Sequence, residues 1–234
     1  MGKNLISQKR GKGSMRYRAP SHRYLTDLRY PFFNGDVKGT VVDLANDPAR
    51  NAPLAIVRLE NGEQKYVLAS EGIKTGDTIM FGENAEIKVG NILPIKKIPE
   101  GTPVFNLEIN PKDGGKMIKS TGSYALVVSH GIGKTVVKLP SRQFKEIDNS
   151  CLATVGIAGG GERTSKPIVK AGKHFHMMRA RNKLYPKTSA RAMNAVQHKF
   201  GGSHMGVSKT TSRHAPPGRK VGSIGARRTG RRKG

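Results

Sequence analysis

Between Arg163 and Gly234 the chain holds 19 Lys and Arg and not one Asp or Glu. A segment of that charge repels itself and stays expanded until a polyanion neutralises it. The rest of the chain is distributed differently. Met1 to Pro31 has eight Lys and Arg against one acid, Asp27, while Phe32 to Glu162 has 15 Lys and Arg against 15 acids. The formal net charge of +26 therefore sits at the two ends, and the middle is electrically neutral. A membrane surface would need an amphipathic helix with a long apolar face, and Gly, Ser and Pro interrupt the tail too often for one. Nucleic acid is the expected counter-charge, and no membrane partner is expected.

The neutral middle sets the fold class. Apolar residues make up 35% of the chain and Trp is absent, against about 45–50% apolar in ordinary globular domains. That argues against one large core and for two small β-domains. "LAIVRLENGEQKYVLAS" carries an Asn61-Gly62 turn between two β-rich runs, a strong hairpin signal. "DVKGTVVDLA", "GDTIMFG", "SYALVVS", "KTVVKLPS" and "CLATVGI" are further short strands, without long helical periods between them, as in sandwiches and small barrels. The Pro-rich "NILPIKKIPEGTP" reads as the joint between two barrels. Past Gly159-Gly160-Gly161 the strand pattern stops, and "KAGKHFHMMRARNKL" predicts one short basic helix. The resulting division is a basic N-terminal arm over 1–34, barrels over 35–86 and 87–168, and a basic C-terminal extension over 169–234.

One cysteine, Cys151, rules out a disulfide within the chain and suits a reducing cytosol. Met1 to Pro31 has no apolar core of a signal peptide. The longest apolar run, Tyr124 to Val128, is too short for a bilayer. The expectation is a chain neither secreted nor membrane-embedded.

Three motifs suggest other chemistry. "SHGIGKT" ends like a phosphate-binding loop, but the required upstream Gly position is Val128, and "VVKLP" follows as a strand where a helix is needed. It reads as a hairpin loop. His174, His176, His198, His204, His214 and Cys151 include zinc-ligand types, yet one Cys cannot supply the paired spacing of a structural site. No metal or cofactor is expected. His198 is the one candidate for catalysis. A general base wants a partner that orients its other nitrogen, and no carboxylate follows Glu162. His198 is therefore read as fixing a tight loop, with Gly201 and Gly202 allowing close backbone approach to an anion. No catalytic residue is assigned.

No helix-turn-helix, zinc finger, basic zipper or aromatic RNA-recognition signature is present. Small barrels with thin, Gly-rich basic arms suit folded RNA, because such arms pass between RNA helices where a globular domain would not fit. In the N-terminal arm the expected contacts are Arg10, Arg16, Arg18, His22 and Arg23. In the first part of the C-terminal extension they are Lys170, Lys173, His174, Arg179, Arg181 and Lys183. The glycine loop adds Arg191, Asn194, His198, Gly201 and Gly202. The tail adds Arg213, Arg219, Lys220, Arg227, Arg228 and Arg231.

"RYRAPSHRY", "SCLATVGIAGGG", "KPIVKAGKHFHMMRAR", "AMNAVQHKFGG" and "APPGRKVGSIGARRTGR", in this order, resemble the ribosomal protein L2 family, the universal large-subunit family, in its archaeal and eukaryotic branch. The resemblance spans nearly the whole chain. It implies a mainly β fold, with an OB-like barrel, then an SH3-like barrel, and extended basic N- and C-terminal arms. It implies large-subunit rRNA near the peptidyl transferase region as the ligand. Neighbouring large-subunit proteins, the small subunit at an intersubunit bridge, and nearby tRNA are the other implied partners, in a cytoplasmic ribosome. The family loop reads Met-Asn-Pro-Val-acid-His-Pro before its glycines. Met193, Asn194, Val196, His198, Phe200, Gly201 and Gly202 match, whereas Ala195, Gln197, Lys199 and Ser203 depart. Tyr185 stands where the family has Trp. Gln197 in place of the acid removes the residue best able to orient His198. Without the resemblance, the same charge arithmetic would describe a free-standing nucleic-acid chaperone or chromatin-like DNA binder.

Overall fold

The computed structural model describes residues 2–31, 35–203, 209–227 and 229. The chain divides into two compact units, residues 21–167 in one and residues 1–20 with 168–234 in the other.

The unit of residues 21–167 is a ten-stranded sheet. In chain order its strands are β1 (Val37–Ala45), β2 (Leu54–Leu59), β3 (Gln64–Leu68), β4 (Thr78–Phe81), β5 (Ile92–Pro94), β6 (Pro103–Phe105), β7 (Ala125–His130), β8 (Lys134–Lys138), β9 (Phe144–Asp148) and β10 (Leu152–Val155). Their order in the sheet is β3-β2-β1-β4-β5-β10-β6-β7-β8-β9. This is the mainly β fold expected, consistent with an OB-like and an SH3-like domain. Neighbours pair antiparallel except β4 and β5, which meet in parallel at Phe81 and Ile92.

The Asn61-Gly62 turn joins β2 to β3 as the sequence requires, with Gly62 at φ +84°. Val41, Val57 and Ile79 point inward with Phe81 and Tyr30 to form the first core. Leu93, Ile95, Ile98, Val104, Val127, Val137 and Ile147 form the second. "SHGIGKT" is the β7–β8 hairpin, with Lys134 and Thr135 already inside β8. His130 ties this hairpin down, its Nε2 lying 2.8 Å from the Ile98 carbonyl and its Nδ1 3.0 Å from the Thr135 hydroxyl.

Two stretches differ from their sequence reading. Asn91–Pro103 is not an exposed linker. Ile92, Leu93, Ile95 and Ile98 are buried, and β5 runs between β4 and β10. Proline fits here because Pro94 ends its strand, where a missing N–H does not interrupt the ladder. Residues 21–31, read as part of the N-terminal arm, belong to the sheet unit. Leu28 and Tyr30 are buried there, and four hydrogen bonds to its backbone fasten the segment. Leu25 N–H donates to Asp47, Arg50 and Lys119 donate to the carbonyls of Thr26 and Leu28, and Tyr30 N–H donates to the Gly114 carbonyl. The Tyr30 hydroxyl donates to the Asn106 carbonyl (2.6 Å) and accepts from Thr154 (2.7 Å). Burial raises that hydroxyl far above the usual phenol range. Buried Glu108 accepts backbone N–H groups from Gly114 and Leu152, each at 2.8 Å, and so closes the loop before the second half.

The other unit is made differently. It contains helices α1 (Ile6–Gly11) and α2 (Ala171–Ala180), short 3₁₀ turns at Met15–Tyr17 and Ala190–Ala192, and a two-residue parallel pair, β11 (Thr210–Thr211) with β12 (Ser223–Ile224). Among its described residues only Leu5, Pro20, Gly201 and Thr211 are buried. Among the described residues, no helix is long and apolar enough to cross a membrane.

Candidate nucleic-acid interface

The partition of the fold is also a partition of charge. The unit of residues 1–20 and 168–234 carries 23 Lys and Arg and no Asp or Glu, whereas the sheet unit carries 19 against 16. A cation in the first unit has no carboxylate side chain of that unit to pair with. Those in the sheet unit do, as in Lys65–Glu63, Lys88–Glu86 and Lys134–Glu146.

Helix α2 positions the first group of cations. It ends in a Schellman motif, with Lys183 N–H bonded to the Met178 carbonyl and Asn182 N–H to the Arg179 carbonyl. Asn182 takes the left-handed position at φ +50°, a conformation Asn tolerates better than most residues. The Asn182 amide then donates to the carbonyls of Met15 (3.3 Å) and Arg18 (3.0 Å). One residue thus stops the helix with its backbone and clasps the N-terminal segment to it with its side chain. Around this clasp lies a cleft of about 1090 Å³, lined among others by Arg10, Tyr17, Arg18, His174, Arg181, Lys183, Tyr185 and Lys187. A smaller hollow beside it brings together Arg16, Arg179 and Lys183. Lys170 precedes α2 and Lys173 is exposed on it.

The glycine loop is the second group. Gln197 and His198 N–H groups both bond to the Asn194 carbonyl, and Gly202 N–H bonds to that of Met193. A Cβ on Gly201 would collide with the Met193 and Asn194 carbonyl oxygens. The loop's own closure therefore requires glycine at 201, where the sequence suggested close approach to an anion. Nδ1 of His198 accepts the Phe200 N–H at 3.0 Å, so in the neutral ring Nε2 carries the proton. A backbone amide, not a carboxylate, orients this histidine, and it presents a donor rather than a base. Lys3 N–H reaches the Val196 carbonyl at 2.8 Å, and His198 and Arg219 line one hollow with Lys3 and Gln8. Arg191 lies in the 3₁₀ turn before this loop.

The remaining expected contacts are more scattered. Arg219 and Lys220 N–H groups both bond to the Pro216 carbonyl in a turn, and the Arg213 side chain packs on Gly225. Arg227 is described and exposed on no regular element, whereas Arg228, Arg231 and His204 lie outside the described residues. His22 and Arg23 lie in a 3₁₀ turn, Ser21–Arg23, that belongs to the sheet unit and not to the acid-free one. Among the described residues no three His, Cys, Asp or Glu are grouped to hold a metal ion. Cys151 is buried, and burial with nearby Glu108 pushes its thiol up to about 12.

The sequence reading missed Asn182, Tyr17 and Lys187. Asn182 left a signal, because Asn after a basic last helical turn is a helix-stop pattern. Tyr17 left none, since its partners lie more than 150 positions further along the chain.

Fold and interface first define a class, namely a β-sheet body with a separate acid-free cationic unit, the plan of a nucleic-acid-binding protein. Comparison with known families narrows it. Residues 3–81 match the model described as "Ribosomal Proteins L2, RNA binding N-terminal domain", and residues 88–220 match "Ribosomal Proteins L2, C-terminal domain". The chain is 54% identical over 236 residues to the "Large ribosomal subunit protein uL2" of Methanothrix thermoacetophila, covering 99% of this chain and 100% of the relative. The protein of that name from Archaeoglobus fulgidus is 51% identical over all of both chains. The one from Methanococcus maripaludis is 50% identical over 99% of this chain and 100% of its own. The chain belongs to the ribosomal protein L2 family in its archaeal form, a family of ribosomal structural proteins and not of enzymes.

Proposed function

We propose that this chain is a structural constituent of the large ribosomal subunit in the cytoplasm, and that its acid-free unit folds against large-subunit rRNA. The carrying observation is the coincidence of two properties in one set of residues: 23 cations without a carboxylate side chain and, among the described residues, almost no buried apolar surface. Such a unit has no internal charge compensation and, among its described residues, no core, and phosphate supplies the first. The expected rRNA contacts named from the sequence, including Arg228 and Arg231, are part of this reading. So are a position near the peptidyl transferase region, support of subunit association, tRNA placement and peptide bond formation in translation, and neighbouring large-subunit proteins, the small subunit at an intersubunit bridge and nearby tRNA as partners. The resemblance of residues 150–161 and 192–202 to the family motifs supports these finer assignments. The two family models end at residue 81 and resume at 88, which supports a division of the sheet unit near residue 86.

The test is binding of the full chain to large-subunit rRNA across a salt series. About ten phosphate contacts give a slope of log affinity on log salt near −7 to −9. In cell extracts the protein should sediment wholly with large subunits and whole ribosomes. A slope near zero, or a pool running free of those particles, would overturn the proposal; the latter is what a free-standing chaperone would give.

A further inference from the structure

The cleft beside Asn182 has more in it than phosphate binding needs. Arg10, Arg18, Lys183 and Lys187 supply charge, but Tyr17, His174 and Tyr185 line the same space. The His174 and Tyr185 rings are in contact, their centroids 4.2 Å apart and their planes tilted by 46°, so the two form one aromatic surface rather than a closed parallel stack. Aromatic side chains are scarce in this unit, where Phe200 and Phe175 are the remaining benzenoid rings. Two tyrosines converging on one basic cleft is therefore a concentration, not a background. Cations alone recognise a phosphate backbone; cations interleaved with aromatic rings recognise a base that has left its stack. The cleft, at about 1090 Å³, is on the scale of a small-molecule pocket. It is too small for a duplex, whose major groove alone is about 12 Å wide and about 8.5 Å deep.

We propose that this cleft holds one unpaired nucleotide of the RNA, its base against Tyr185 and its phosphate among Arg10, Arg18 and Lys187. The proposal rests on the rRNA-binding reading and adds to it a point of contact with a single extruded base. Asn182 makes the site by joining the turn that carries Tyr17 and Arg18 to the end of α2. An acidic peptide would satisfy the cations and make no use of the aromatic surface.

The experiment uses the full chain and three probes at about 0.1 M salt: pentameric oligoadenylate, inorganic polyphosphate of similar charge, and polyglutamate. Tyr185→Leu keeps the apolar volume and removes the aromatic face. It should weaken oligoadenylate binding about tenfold, as loss of one base–ring stack does, and leave polyphosphate binding unchanged. Tyr185→Phe should retain full affinity for both. A 4-thiouridine pentamer should crosslink on irradiation to the wild-type peptide containing Tyr17 or to the one spanning 174–187, which reads the site without any variant. Equal losses for both probes, no loss for either, crosslinks only elsewhere, or tighter binding of polyglutamate than of oligoadenylate would overturn the pocket. Failure of the wild-type chain to bind large-subunit rRNA would instead overturn the reading beneath it.

Discussion

The sheet unit balances 19 cations with 16 acids and buries Phe81, Phe105, Leu54 and Ile92; the other unit carries 23 cations against no acid and buries Leu5 and Pro20. Each hides about what its composition allows. Burial of a large apolar side chain contributes roughly 1.5–3 kcal/mol, and the sheet unit repeats that many times over. The acid-free unit relies on backbone bonds such as Lys3 to Val196 and on the Asn182 clasp, each contributing on the order of 1 kcal/mol. A region of that kind is completed by its partner, whereas the sheet unit is completed by its own core.

Charge reversal should separate the two most strongly. Arg10→Glu, Arg18→Glu and Lys183→Glu together should lower rRNA affinity about a thousandfold or more at 0.1 M salt. The same change at Lys65, Lys88 and Lys134, which already face acids, should cost far less. Equal losses in filter binding would break the comparison. Phe105→Ala, in the fully buried cluster with Leu54 and Leu68, should destabilise the sheet unit by about 3–5 kcal/mol in urea unfolding and leave the salt slope unchanged. Tyr30→Phe leaves the Asn106 carbonyl and the Thr154 hydroxyl short of a partner and should cost about 1–3 kcal/mol in the same assay. Asn182→Ala loses two hydrogen bonds and a tolerated left-handed residue. It should cost about 1 kcal/mol, seen as roughly fivefold faster amide exchange at Asn182 and Lys183 only.

Cys151 gives the smallest effect at neutral pH and a distinct one in base. In the folded chain the thiol is held up at about 12 against an ordinary 9.0. Because the raised value belongs to the folded state, this contribution is whole below about pH 9 and is lost as pH rises toward 12. The native protein should resist a disulfide reagent at pH 8 and react once unfolded. Rapid labelling of the native state would contradict a buried thiol.

Parts of this were readable from local sequence. Asn61-Gly62 announced its hairpin because a turn needs only adjacent residues, and "SHGIGKT" announced another because the strand after it alternates correctly. Asn91–Pro103 was misread as an exposed linker because its three prolines and Gly101 imitate one, and nothing local says that Ile95 and Ile98 will be covered. His198 lacked an orienting acid in the sequence, yet its orientation was there in the Phe200 N–H, a group every residue but proline carries and which no residue pattern reveals.

The sequence alone determined where the charge lies, since the side chains carry their charges in any conformation, and with it the need for a polyanion. It also determined the mainly β character of the middle, because alternation and turn residues act over a few positions. Only the tertiary structure decided that residues 21–31 join the sheet while residues 2–20 join the C-terminal extension. It alone brought Arg18 and Tyr17 to the end of α2. Those outcomes depend on contacts between residues far apart along the chain, and the energy of such a contact is written in neither neighbourhood separately.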